Sequence, residues 1–415
     1  MSAAIDFSKT NSSTETASPV RQRIVILDAL RGFALFGIAL ANFPEFSLYD
    51  FLHEFFPTGS GALGYDTVAR FLQALFVNGK FYTIFSVLFG IGFSIIISNV
   101  RRRGLAPMPV FYRRMVVLAL IGFAHLMLLW SGDILLLYAL CGMILPLFDR
   151  CCQRTILISS VVFLSLPVLV SLVRPLLPFS LPSLLYDSWW SVASSVGISE
   201  DNFALFLHDA DSYADVHRFL LQGAVERCWE FVSSSRYFKV VGLFLLGFYI
   251  GRSGMLSSLS SHTRVIYTAI AVGLFVALPL SVVSALSSIG YVSLSPFIAS
   301  LLYLFGVYPL GLAYMAALAL LYIHLPDLRI WRFFALTGRM ALSCYILQSL
   351  FGVFLFYGVG LALGGTLSLC ETLLVATAVF LVESLLCALW LRVFKFGPLE
   401  WLWRILTYLK IFPIR

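Results

Sequence analysis

Several ionisable side chains lie inside stretches that are otherwise apolar. A charge at the centre of a membrane helix costs about 2.5–3.5 kcal/mol on insertion scales, so each is a candidate for function. His125, in Gly-Phe-Ala-His-Leu, is the one histidine within an apolar span. An imidazole is the side chain best suited to proton transfer near neutral pH, and the alternative is a neutral ring bonded to a neighbouring helix. Asp133 follows Ser131-Gly132 and opens the next apolar run. There a carboxylate accepts from free backbone N–H groups, so capping is its first reading and catalysis its second. Glu383 has no charged partner in its own span and is either protonated or functional. Asp28 and Arg31 are three residues apart on one helical face, as either an intrahelical ion pair or a substrate contact. At about 1.5 Å per residue Asp28 lies roughly 6 Å from the cytoplasmic end, Arg31 and Arg339 roughly 10 Å, and His125 and Glu383 near the midplane. Asn42, Gln348 and Asp133 continue the series outward. The candidates are thus His125, Asp133 and Glu383 for catalysis, and Asp28, Arg31, Asn42, Arg339 and Gln348 for substrate. An oriented imidazole also needs a second partner. On one continuous helix Asp133 would sit about 12 Å from His125, so that partner is expected from another helix. The chain has no P-loop, G-x-S-x-G elbow, nucleotide fingerprint or metal-ligand spacing, so no metal is expected.

The elements that must hold these residues follow from composition. The 415 residues are 60% hydrophobic and 12% charged, with a mean hydropathy of +0.93, whereas a soluble domain carries about a quarter charged residues. Apolar runs of about 20 residues recur along nearly the whole chain, which makes lipid the solvent. The expected fold is all-α: a polytopic integral membrane bundle of about ten spanning helices. The expected spans are Ile24 to Phe43, Phe81 to Asn99, Met115 to Trp130, Ile134 to Phe148, Thr155 to Val173, Tyr237 to Gly251, Val265 to Leu286, Phe297 to Ile323, Phe333 to Tyr357 and Leu373 to Phe394. Each is read as a continuous apolar run.

Arginines such as Arg101 to Arg103, Arg150, Arg252 and Arg329 fall in alternate connections, which places those connections and both termini in the cytoplasm. The net charge of +7 is therefore a topology signal and not a nucleic-acid footprint. Residues 1–23 read as a disordered cytoplasmic tail without a signal-peptide core, 24–394 as the membrane domain and 395–415 as a cytoplasmic C-terminal segment. The long connection 174–236 holds eight carboxylates against four arginines and falls outside. Within it Ala214 to Val232 carries Val216, Phe219, Leu220 and Val225 at helical spacing, and Trp189 and Trp190 suit a headgroup layer, so it reads as an amphipathic outer lid or as a disordered loop. Cys228 and Cys370, the cysteines that fall on or near that side, are expected to stay unjoined.

The run Leu27-Asp28-Ala29-Leu30-Arg31-Gly32-Phe33-Ala34-Leu35-Phe36-Gly37-Ile38 resembles the opening of the YeiB-like family of bacterial membrane proteins, the domain of unknown function 418. Phe85 to Phe93, Gly132 to Leu135, Gly338 to Ser349 and Gly397 to Thr407 resemble its later blocks in order, so the likeness covers nearly everything from Arg23. Cys344 stands where the family often has Asn. The family is similar, more distantly, to transmembrane acyltransferases such as heparan-alpha-glucosaminide N-acetyltransferase. That resemblance implies a multi-pass protein of the bacterial plasma (inner) membrane that takes acyl-CoA or acetyl-CoA as co-substrate and acylates an extracytoplasmic glycan or lipid acceptor, with a homodimer compatible. Arg101, Arg102, Arg103, Arg113 and Arg114 would then attract CoA phosphates, and His125 would take the acceptor's proton. The rival readings are a transporter or lipid-handling protein without catalysis and a non-catalytic scaffold.

Overall fold

In lipid an apolar run must satisfy its own backbone hydrogen bonds. Helix is accordingly the regular element throughout the computed structural model, which describes residues 19–55, 64–104 and 106–415. The first half holds α1 (Pro19–Phe46), α2 (Tyr49–Phe55), α3 (Gly64–Phe76), α4 (Lys80–Arg102), α5 (Pro107–Leu128), α6 (Leu135–Gly142), α7 (Gln153–Val173), α8 (Leu181–Ser195), α9 (Glu200–Phe203) and α10 (Tyr213–Ser233). The second half holds α11 (Arg236–Arg252), α12 (Thr263–Val272), α13 (Leu278–Ser288), α14 (Pro296–Leu302), α15 (Tyr308–His324), α16 (Arg329–Arg339), α17 (Ala341–Phe356), α18 (Leu369–Val393) and α19 (Pro398–Tyr408). Among the described residues seven helical segments are long and apolar enough to cross a membrane, or nine if each of two bent pairs is one span. The chain is a multi-pass helical membrane protein.

The centre of the bundle is α1 and the segment containing α3 and α4, whose apolar windows are each 56% buried, against 17% for the segment containing α7 and 22% for that containing α12 and α13. The outer helices turn large apolar side chains such as Leu147, Leu176 and Phe275 outward, as lipid requires. Hydrophobic burial does not separate helix contacts from lipid contacts inside a bilayer, so close backbone approach must bring the helices together. Two crossings show it. On α1 against α16, a methyl at Gly32 would collide with the Phe334 carbonyl and one at Gly338 with the Asp28 carbonyl. On α4 against α11, Gly90 and Gly247 lie in the same way against the Phe244 and Val87 carbonyls.

The ten expected runs are all helical, but not all as drawn. Phe333 to Tyr357 is not one continuous helix: it breaks at Met340, where α16 and α17 meet at 80°. The break is held from outside, since Glu400 accepts from the first N–H groups of α17, at Leu342 (2.7 Å) and Ser343 (3.0 Å). The run Ile134 to Phe148 is shorter than a span, with Pro146 in a 3-10 turn after α6. In Val265 to Leu286 and Phe297 to Ile323 the helix widens into π-turns at Gly273–Ala277 and Tyr303–Val307. Each lies just before a proline, Pro279 or Pro309, whose ring would strike the carbonyl four residues back in a regular α-turn.

Outside the bundle, α1 starts at Pro19, so residues 19–23 of the expected tail are helical, and the rest of that tail lies outside the described residues. The lid segment is a packed cap. The expected helix appears as α10, with Val216, Phe219 and Leu220 buried, seated on α8, α5 and α11. Trp189 faces the protein interior: it is buried, stacked with Trp190 and Trp229, and its indole N–H donates to Gln222 Oε1 at 2.5 Å. The C-terminal segment docks through α19 onto α5 and α17.

Candidate functional site

A cavity of about 920 Å³ runs between α1, α4, α5, α11 and α17. Along α1 its wall extends from Arg31 to Glu45, fourteen residues or about 21 Å at 1.5 Å per residue, against a hydrocarbon core of about 30 Å. One end carries Arg103, Arg114, Arg339, Arg404 and Glu400; the other carries Glu45, Arg227, Glu230, Arg236 and Lys239; aromatic rings such as Phe85, Phe89, Tyr138 and Tyr345 line the middle. Eight cations thus face three carboxylates, a surplus that suits anionic ligands.

At the first end the basic residues divide. Arg103 and Arg114 line the cavity, and the Arg114 guanidinium lies 3.6 Å over the Trp403 ring. Arg101 is paired instead with Asp149, Arg102 is exposed, and Arg113 does not line the cavity. Glu400 is buried by α19, which pushes its carboxyl above the ordinary carboxylate range, against the lowering effect of bonds from Ser343 and Leu342.

Of the five expected substrate contacts, Arg31, Asn42 and Arg339 line this cavity and Asp28 and Gln348 do not. Asp28 holds Arg31 through an ion pair of 2.6 Å, the intrahelical arrangement their spacing allows. Gln348 donates to Glu383 Oε2 at 2.9 Å across α17 and α18. Glu383 is fully buried away from the cavity, and its Oε1 has no partner among the described residues. One turn along, Cys387 and Cys344 bring their sulfurs to 3.3 Å.

His125 is held from both sides. Its Nδ1 lies 2.9 Å from Asp133 Oδ1 and its Nε2 lies 2.9 Å from Ser349 Oγ on α17. The expectation that Asp133 is too distant to be the partner of His125 is therefore corrected, while Ser349 on α17 is a partner from another helix. The 12 Å separation assumed one straight helix, whereas α5 ends at Leu128 and the N–H groups of Leu129 and Trp130 both turn back onto the His125 carbonyl, each at 3.0 Å. Asp133 then opens α6, its Oδ2 accepting from the Leu136 N–H at 2.7 Å, so it caps the helix and orients the ring together. With both Asp133 oxygens accepting, hydrogen-bond logic puts the ring proton on Nδ1 and leaves Nε2 to accept from the Ser349 hydroxyl, the Asp–His–Ser order of acyl-transfer enzymes.

This relay does not line the cavity. The side chains of His125 and Asp133 are each 1% exposed. Between ring and cavity stand Tyr345 and Trp130, with ring centroids 5.2 and 6.2 Å from that of His125. In this conformation the imidazole is closed off, and contact with a bound molecule requires one of those two rings to move.

Other residues of the site were not singled out from the sequence. Ser349 is an ordinary residue for a membrane helix. Arg227 and Glu230 read as loop charges, yet they follow Leu220 and Gly223 at intervals of three and four, on the buried stripe of α10. Arg227 donates to the Ser131 carbonyl (2.8 Å) and pairs with Glu45 (3.2 Å) and Glu230, and Arg236 pairs with Glu230. Lys239, one turn on, has no carboxylate within ion-pair distance and no hydrogen-bond partner among the described residues, and Glu230, already paired with two arginines, acts on it only from longer range. Its ammonium lies 4.0 Å over the Tyr303 ring, a contact worth about 0.5–2 kcal/mol, less than the several kcal/mol needed to strip an ion of water.

Comparison with known proteins supplies the family. The family model described as "Protein of unknown function (DUF418)" matches residues 250–410. The chain is similar to "Uncharacterized protein YxaH" of Bacillus subtilis, 30% identical over 95% of this chain and 96% of the relative. It is also similar to "Uncharacterized protein YeiB" of Escherichia coli K12, 29% identical over 93% and 96%. No solved structure matches. The blocks around Asp28, Asp133 and Ser349 thus sit in a likeness that runs nearly end to end, and the chain belongs to the YeiB-like DUF418 family of bacterial membrane proteins.

Proposed function

We propose that this protein is a transmembrane acyltransferase of the bacterial plasma membrane, with ten spans and cytoplasmic termini, that moves an acyl group from cytoplasmic acyl-CoA to an extracytoplasmic glycan or lipid acceptor. The observation that carries the reading is the Asp133–His125–Ser349 relay set one aromatic layer behind a basic cavity that follows α1 for about 21 Å. Arg103, Arg114, Arg339 and Arg404 supply charge for CoA phosphates at one end. When Tyr345 or Trp130 swings aside and the Ser349 hydroxyl turns from Nε2 to the Tyr345 carbonyl, His125 Nε2 takes the proton of the acceptor hydroxyl or amine as that atom attacks the thioester carbonyl. The carbon–sulfur bond breaks, the proton passes to the departing thiolate, and CoA leaves as the thiol. Asp133 supports the imidazolium in between.

A transporter or lipid-handling reading is favoured by a different observation, the closed-off ring together with two broken helix pairs, α10 with α11 and α16 with α17, that border the cavity. Equilibrium binding of acetyl-CoA to the purified full chain separates the two. Acyl transfer requires measurable binding that weakens about 10-fold or more in Arg114→Gln or Arg339→Gln, as expected for loss of a charged hydrogen bond. Absence of any acyl-CoA binding by the wild type would leave the transporter reading in place.

A further inference from the structure

We propose that the end of the cavity at the α10–α11 elbow binds a phosphate-type oxyanion through Lys239, Arg236 and Tyr82, a site independent of the acyl-transfer reading. Three cations, Arg227, Arg236 and Lys239, face two carboxylates there, Glu45 and Glu230. The ion pairs consume both carboxylates: Arg227 takes Glu45 and Glu230, and Arg236 shares Glu230. One positive charge is left, and it is that of Lys239.

A second group points to the same missing partner. Tyr82 lines this cavity, and its hydroxyl is buried without a hydrogen-bond partner among the described residues. Arg236 links the two: its guanidinium lies 6.0 Å from the Tyr82 ring, and Lys239 follows it by one helical turn. An unsatisfied phenol and an unneutralised ammonium in one apolar-walled cavity are both hydrogen-bond donors aimed at an absent acceptor. A compact ammonium, a guanidinium with N–H groups to spare and a phenol match the several oxygens of a phosphate better than the two of a carboxylate. Tyr303, whose ring lies under Lys239, begins a π-turn, a feature frequent at functional sites. A lipid headgroup and free phosphate in solution present the same oxyanion, and the chemistry of the site is the same for both.

The test uses the full chain with two probes. Inorganic phosphate is titrated into detergent-solubilised protein, and retention of phosphatidylglycerol over a phosphate-free diacylglycerol is measured after passage through mixed nanodiscs. The wild type should bind at least one probe. Lys239→Met should reduce that binding at least 10-fold, Tyr82→Phe should reduce it several-fold, and Lys239→Arg and the exposed-site control Lys410→Met should retain it. Lys239-dependent retention of phosphatidylglycerol alone identifies a lipid phosphate, and Lys239-dependent binding of inorganic phosphate identifies a soluble one. Binding unchanged in Lys239→Met, or a wild type that neither binds inorganic phosphate nor retains phosphatidylglycerol above the phosphate-free lipid control, overturns the proposal. The melting temperature of each variant shows whether a loss comes from unfolding.

Discussion

At the scale of single residues, Asp133 has two jobs that substitutions separate. Asp133→Ala removes the acceptor of the Leu136 N–H as well as the ring's partner, and leaving a buried donor unsatisfied costs about 1–3 kcal/mol. Asp133→Asn keeps a cap-competent oxygen but alters the donor pattern facing Nδ1. Thermal melting should therefore drop in the alanine variant and much less in the asparagine variant, while both lose acyl transfer; wild-type transfer by Asp133→Asn would make Asp133 a cap alone, and equal melting losses would remove the cap as a source of stability. For Asp28 and Arg31 the single neutral substitutions should hurt more than the double, with a coupling of about 0.5–3 kcal/mol in a double-mutant cycle. Simple additivity would show that the 2.6 Å pair does no joint work. Residue type was enough to single out His125 and Asp133, because charge and imidazole are conspicuous in apolar sequence. Their contact was not legible, since it depends on where α5 stops, and nothing in Leu128-Leu129-Trp130 signals that end. Ser349 was invisible for a different reason: a serine hydroxyl in a membrane helix can bond its own backbone, and here the Tyr345 carbonyl at 3.4 Å is the alternative to Nε2 for its one proton.

Among the elements, glycines set how closely the helices cross. Gly338→Ala and Gly247→Ala each place a methyl against a carbonyl of the facing helix, and overpacking of this kind costs about 1–3 kcal/mol or more. Both should melt lower in detergent than Gly104→Ala, which has open space around its Cβ position although its φ of +71° adds local strain. Equal losses at all three would remove close packing as the cause. Hydropathy located the long apolar helices because the need to hide a backbone from lipid acts within each run, although among the described residues seven to nine segments, not ten, are long and apolar enough to span. It could not locate the Met340 break, because the carboxylate that stabilises it, Glu400, arrives from some sixty residues away. The stripe on α10 was legible at Val216, Phe219 and Leu220, but it continues into Arg227 and Glu230, where the buried face turns from packing to charge.

For the molecule as a whole, the arginine clusters predict sidedness. Reporter fusions after Arg103, Arg154 and Arg264 should read as cytoplasmic, and those after Ser212 and Ser293 as external; one inverted reporter in the middle would break the ten-span arrangement. The same arrangement puts the Arg114 end of the cavity inside and the Lys239 end outside, as passage of an acyl group across the bilayer requires. The most direct measurement is single-turnover transfer of a labelled acetyl group from acetyl-CoA on the cytoplasmic side of sealed vesicles to acceptor on the other. The wild type should transfer label, and His125→Ala, inserted and melting normally, should lose about 100-fold or more of the rate. Transfer at the wild-type rate by His125→Ala would contradict the assignment of His125 as the base.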